Sequence, residues 1–250
     1  MEIKRRKFQG VLNILSFNRH FYFIGLTLLA LLIISWLVFG WPNSLLWIII
    51  GAFLYGLSMP LIISAYVYDF SGYYDFKWIK TLSDLDSDTT QIVNINAGFD
   101  ETSFILKKNF PKSKLMVFDF YNADQHTEPA IIRARKVSSI YPNTQQITSS
   151  KIPLESDSVD LVFLLSAAHE IRTDQEKIVF LKECNRVCKE KGKVIMVEHL
   201  RDAPNFFAFT VGFTHFFSKK TWNNVFQSAG FKTIHETKFT PFMSIFTSHS

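Results

Sequence analysis

The sequence predicts an α/β fold, a doubly wound and mostly parallel seven-stranded sheet, preceded by a two-helix transmembrane hairpin. Three observations predict it. No Asp, Glu, Lys or Arg occurs between Phe21 and Tyr68. From Gln91 onward, short apolar runs alternate with helical patterns, as a parallel sheet with helices on its faces requires. One of those runs, Val159 to Leu165, reads as a strand covered on both sides.

The uncharged run comes first. A hydrocarbon core about 30 Å thick takes about 20 helical residues, so the run is long enough for two spans. Trp41-Pro42-Asn43 divides it, because proline disfavours helical geometry in the preceding residue and tolerates a helix start after it. Helices are expected over about 21–40 and 44–67. Buried helices of soluble proteins seldom run this far without a charge. A cleaved signal peptide fits poorly, since the stretch is too long, lacks a small-residue cleavage site and is followed by a second span.

The net charge of +5 in 250 residues is unevenly spread. Before the first span, Lys4, Arg5, Arg6, Lys7 and Arg19 stand against Glu2 alone; from Asp69 onward, 22 basic residues meet 21 acidic ones. The excess therefore lies beside the bilayer, where positive residues mark the cytoplasmic side. Two spans return the chain to that side, so the protein is expected to be integral to the membrane with its large domain cytoplasmic. Nucleic acid is not expected as a partner. Cys184 and Cys188 are too few for a disulfide framework or a zinc site, and fit packing in a reducing compartment.

Four regions follow: a basic arm over 1–20, the hairpin over 21–67, an interfacial segment and linker over 68–90, and the domain over 91–250. Tyr66, Tyr68, Tyr73, Tyr74 and Trp78 suit the head-group level. Polar Asp84 to Thr90 marks the domain boundary. Strands are expected at Gln91–Ile95, Lys114–Phe120, Gln145–Thr148, Val159–Leu165 and Lys193–Glu198, with a final pair over 231–239 and 242–248 joined at Pro241. Helices are expected up to about Asn109, from Glu128 to Ser138 with Thr127 as N-cap, and from Ser218 to Ala229 closed by Gly230. The remaining helix starts at Thr173 with Glu176 three residues on, a capping box, and is expected to stop at Gly192 in a left-handed conformation.

Five segments carry a resemblance: Ile92-Val93-Asn94-Ile95-Asn96-Ala97-Gly98; Val117-Phe118-Asp119; Ile152 to Val162; Phe180 to Val187 with Gly192-Lys193-Val194; and Ala229-Gly230-Phe231. Over 90–250 the chain resembles a class I S-adenosylmethionine-dependent methyltransferase. The resemblance implies that fold, S-adenosylmethionine as cofactor, and a cofactor site on Asn94, Asn96, Ala97, Gly98, Asp119, Phe120, Thr148, Ser149 and Ser166. Asp119 lies 21 positions after Gly98, the spacing at which a carboxylate reaches ribose hydroxyls in dinucleotide folds. The family's D-x-G-x-G-x-G is eroded to Asn94, Asn96, Gly98 and Asp100. Asparagine tolerates positive φ better than most residues, so Asn96 can keep the turn.

Histidines supply the chemistry. His126, His169, His199 and His215 sit where strands end and loops begin, the edge at which such sheets bind ligands. His169 is the candidate base for removing an acceptor's proton, with His199 second. A metal held by His169, Glu170, Glu198, His199 and Asp202 is the rival, but no helix-spaced ligand motif accompanies it, and no metal ligand is assigned. Phe206, Phe207, Phe209, Phe213, Phe216 and Phe217 crowd around His215. They could pack the last helix, line a hydrophobic substrate site or dip into the bilayer. Methyl transfer to a lipophilic or membrane-associated acceptor is the expected function. The alternative is a non-catalytic membrane protein that uses the same fold to bind a lipid or protein.

Overall fold

The computed structural model describes residues 5–81 and 91–249. The polar linker expected at Asp84 to Thr90 lies outside the described residues, as do Glu2 and Lys4 of the basic arm. The chain opens with helix α1 (Gln9–Phe17), which the arm was not expected to form. Then come α2 (Arg19–Phe39) and α3 (Asn43–Ala65), at 21 and 23 residues each about 30 Å long or slightly more. Gly40 closes α2 at φ +62°, and Pro42 stands in extended geometry just before α3. Both are long and apolar enough to cross a membrane, and none of the apolar window of either is buried inside the protein.

The domain holds seven strands: β1 (Gln91–Asn96), β2 (Lys114–Asp119), β3 (Gln145–Gln146), β4 (Val159–Leu165), β5 (Cys188–His199), β6 (Thr233–Thr240) and β7 (Met243–His249). Their order is β3-β2-β1-β4-β5-β7-β6, with only β7 antiparallel to its neighbours. Helices α4 (Ser103–Asn109), α5 (Pro129–Val137), α6 (Asp174–Val187), α7 (Ala203–Phe209) and α8 (Lys219–Ser228) complete it. One face of the sheet packs on Phe180, Leu181 and Cys184 of α6 and on Trp222, Val225 and Phe226 of α8. The other face packs on Leu106 of α4 and on Val67, Tyr73, Phe76 and Trp78.

That second face corrects the sequence reading of 68–90. Tyr73 and Trp78 are not at a water–lipid boundary; they are buried against β1, β4 and β5, with the Trp78 indole donating to the Tyr73 carbonyl at 3.0 Å. Both faces of a parallel sheet must be covered, and this segment does the work of a helix. Tyr66 and Phe70 alone of its flank remain well exposed among the large apolar side chains described there.

Two helix ends also differ. Helix α5 starts from Glu128 without a side-chain cap, not from Thr127, because Pro129 occupies its first position and needs no N–H partner. Helix α6 stops at Val187, and Gly192 lies inside β5. A Cβ on Gly192 would stand 2.8 Å from the Asp160 carbonyl oxygen, so the glycine serves close approach and not a left-handed turn. The capping box is half formed: Thr173 accepts from the Glu176 amide at 3.2 Å, while the Glu176 carboxylate takes the Ser149 hydroxyl at 2.6 Å.

Candidate active site

The strand register brings two sets of side chains to the carboxyl edge of the sheet. The first lies at the ends of β1 and β2, where Asn96 pairs with Asp119. Asn96 Oδ1 accepts the Gly98 amide at 3.1 Å, a turn that carries Gly98 to φ +89°. Asparagine thus replaces a glycine by bonding its own turn. Asp100 Oδ1 accepts the amides of Thr102 and Ser103, both at 2.9 Å, and so caps the start of α4; burial pushes its carboxyl upward. Asn94 faces inward, donating to Thr102 and Ser103 hydroxyls. It anchors α4 and does not line the edge.

Both Asp119 oxygens have partners. Its Oδ1 accepts the Tyr121 amide at 2.9 Å, and its Oδ2 meets Arg135 Nη1 at 3.0 Å. The Arg135 guanidinium stacks 3.9 Å over the Tyr121 ring and lies where a Cβ on Gly98 would collide with it. Arg135, which the sequence did not single out, therefore occupies the cradle between Gly98 and Asp119. Ala97 and Phe120 are buried in the core, and Phe120 packs on Phe180. Thr148 and Ser149 sit at the outer edge, bonded to Ser150 and Glu176. Ser166 stands across the sheet at φ +51°, with its hydroxyl 3.2 Å from Tyr73.

Helix α1 lies over this loop. Glu101 accepts from Arg5 at 2.5 Å, Gln9 at 2.7 Å and Asn13 at 3.2 Å, while Phe17 packs on Phe99. The signal was present in the four-residue spacing of Gln9, Asn13 and Phe17, one row of a helix face, with Arg5 just before the helix. The Asp69 carboxylate caps α1 by accepting the Gly10 and Val11 amides.

The second set gathers beyond β4 and β5. A short 3-10 turn (Ala168–Glu170) carries His169 and Glu170, β5 ends at Glu198 and His199, and a second 3-10 turn (Thr210–His215) carries His215. His169 Nδ1 lies 2.7 Å from the buried Glu198 carboxylate, and its Nε2 lies 3.5 Å from Glu170. Burial works against the charged imidazole, but Glu198 and Glu170 outweigh it and push His169 up to about 10. The two carboxylates thus favour the protonated, hydrogen-bond-donating imidazole over the free base the sequence suggested. Burial alone would raise Glu170; His169 and His215 hold it down to about 2.

His199 does not offer a free nitrogen. Nδ1 stands 2.9 Å from the Phe242 carbonyl, which can only accept, so Nδ1 carries the proton and Nε2 accepts from Tyr68 Oη at 2.9 Å. Burial pushes this neutral imidazole down to about 4. His199 fastens the end of β5 to α3's extension, which removes it as second base. His126 accepts the Asn122 amide and stabilises a turn.

The strand order, with an antiparallel β7 slotted between β5 and β6, and a ligand edge at the ends of β1, β2, β4 and β5, agrees with what comparison finds. Residues 101–196 match the family described as methyltransferase domain. Over that stretch the chain is similar to a methyltransferase domain. Human N-acetylserotonin methyltransferase, solved in complex with SAM, is 16% identical at TM-score 0.50; the match covers 86% of this chain and 61% of that one. A SAM-dependent methyltransferase from Aquifex aeolicus is also 16% identical, over 71% of this chain and 92% of that one at TM-score 0.47. No curated protein sequence matches the chain. The seven-stranded sheet is thus the class I methyltransferase fold, with two apolar helices before it.

Proposed function

We propose that this methyltransferase domain uses S-adenosylmethionine to methylate a lipophilic acceptor at the cytoplasmic face of a membrane. The carrying observation is the register that sets the Asn96–Gly98 turn beside Asp119 on the same edge as the His169 cluster. The cradle at Gly98 already accommodates a planar cation, the Arg135 guanidinium, against Asp119. A cationic cofactor with ribose hydroxyls fits that donor set, with Asn96, Gly98 and Asp119 holding it. When bound it supplies a methyl group on a sulfonium. Arg135 must then swing out of the space between Gly98 and Asp119 to admit the ribose.

The acceptor would lie against His169, Glu170 and His215. Methyl transfer is an in-line displacement in which holding the nucleophile can dominate the rate. A lipophilic acceptor is supported by α7, whose Phe207 carbonyl accepts Tyr55 Oη of α3 at 2.6 Å. Tyr55 is ten residues before the end of α3, about 15 Å along it. Phe206 and Phe207 are therefore displayed beside an apolar helix, exposed by 48% and 62%. A bilayer there would cover them. The uncharged Trp41-Pro42-Asn43 connector would cross it, leaving the arm and the domain on one side.

Isothermal titration of the detergent-solubilised chain with S-adenosylmethionine tests this proposal. Near-stoichiometric binding is expected. The alternative, a non-catalytic protein that binds a lipid or protein partner, is favoured by one observation, the Arg135–Asp119 pair that fills the cradle. No binding by the parent and none by Arg135→Ala would leave that alternative standing.

A further inference from the structure

We propose that His169, Glu170 and His215 form a binding site for a divalent transition-metal ion such as zinc, cobalt or iron. One nitrogen of each histidine and one oxygen of Glu170 lie within 4.8 Å of one another. Glu170 Oε1 stands 3.5 Å from His169 Nε2 and 4.0 Å from His215 Nε2. Ligand atoms at 2.0–2.2 Å from a shared ion are roughly 3.0–3.6 Å apart. The first distance already fits, and the second needs a contraction of about half an ångström. The histidine rings stand 5.1 Å apart at 77°, so their edges can converge without stacking.

The surroundings are built as metal sites are. Each histidine that turns Nε2 toward Glu170 has a carboxylate at its other nitrogen: Glu198 lies 2.7 Å from His169 Nδ1, and Glu128 lies 3.5 Å from His215 Nδ1. Metal-bound histidines regularly carry such a partner, which fixes the tautomer and strengthens the ligand. Arg172 supplies a second constraint. Its Nη1 donates to the backbone carbonyls of both His169 and His215, at 3.0 and 2.8 Å, and so ties the two turns together. Two imidazoles and one carboxylate select a borderline transition ion over magnesium or calcium, which prefer all-oxygen shells. Three protein ligands also leave positions for water or another oxygen ligand, as in catalytic and not structural sites.

The site shares no residue with the cofactor cradle of Asn96, Gly98 and Asp119, so metal binding can be measured without turnover. The full chain in detergent, stripped with a chelator and dialysed, is titrated with Co²⁺, followed by its visible absorption and displaced with Zn²⁺. One equivalent is expected. Binding should weaken at least about 10-fold in His215→Ala and in Glu170→Gln, and by about 10-fold in Glu128→Gln, which removes only an outer partner. His126→Ala should bind as the parent does. Circular dichroism confirms that each variant is folded. A folded parent that takes up neither Co²⁺ nor Zn²⁺ stoichiometrically overturns the proposal, as does binding unchanged in both His215→Ala and Glu170→Gln. A titration of the same samples with S-adenosylmethionine reports on the cradle separately, so failure of one site is not mistaken for failure of the other.

Discussion

Asp119 and Arg135 make the sharpest test of the cofactor cradle. Both Asp119 oxygens are occupied, Oδ1 by the Tyr121 amide and Oδ2 by Arg135. Each oxygen keeps a further lone pair, but the guanidinium lies between Gly98 and Asp119, so ribose hydroxyls entering from the Gly98 side must displace it. A hydrogen bond to a charged group is worth about 1.5–3 kcal/mol. The pair that must break is about a third open to solvent on the arginine side, so it offsets only about 0.2–1 kcal/mol of that gain. Asp119→Ala should therefore weaken S-adenosylmethionine binding by about 0.5–2.8 kcal/mol, roughly 2- to 100-fold. Arg135→Ala should strengthen it by up to about 5-fold, because the competitor is gone. In the Asp119→Ala background the same arginine substitution should change little, since there is no carboxylate left to compete for. Titration calorimetry on the four proteins of this double-mutant cycle reads all three values. Equal affinity in the parent and Asp119→Ala would refute the cradle. A loss of affinity in Arg135→Ala would refute the competition, making Arg135 part of the binding surface.

Three further outcomes are expected. With an uncharged connector between two spans, both termini should face the cytoplasm; a cysteine introduced near the C-terminal end that reacts with an impermeant reagent from outside would reverse that topology. His199 is held near 4 in the folded chain against about 6.5 when unfolded, so the unfolded chain takes up its proton first. The stability it leaves intact above about pH 6.5 should drain away as pH falls toward 4, by about 3 kcal/mol in all. Melting temperatures of the parent and His199→Asn, measured across that range, should converge at the acid end, and parallel curves would exclude His199 as the cause. Finally, if His169 holds the acceptor as a hydrogen-bond donor, His169→Ala should lower turnover by about 10²-fold through misplacement while leaving S-adenosylmethionine affinity almost unchanged; steady-state rates and calorimetry on one preparation check both, and full activity would take His169 out of the mechanism.

Local chemistry wrote much of this protein into its sequence. The uncharged run marks α2 and α3, the alternation of apolar runs marks the sheet, and Thr173, Ser218 and Gly230 mark helix ends through their own side chains or φ. Spacing from Gly98 put Asp119 at the end of β2, but Asn96 keeps the turn through its side-chain oxygen and not through the positive φ that its residue type tolerates. Such signals act within a few residues, so they survive in one dimension. What covers each surface does not. Tyr73 and Trp78 have the composition of a head-group belt, and only the bare face of β1, β4 and β5 draws them inside. Helix α6 looks able to reach Gly192, but β5 begins pairing with β4 at Cys188 and the amides of Asp157 and Ser158 take the carbonyls of Arg186 and Val187. Arg135 lies across Gly98 only because α5 packs beside the end of β2. His169 and His215 are far apart in sequence, and a sheet register together with the reach of Arg172 sets them 5.1 Å apart. Periodicity says which side of an element is apolar; which side chains then meet, and what each does to the other's proton, depends on pairings between distant segments that no local pattern encodes.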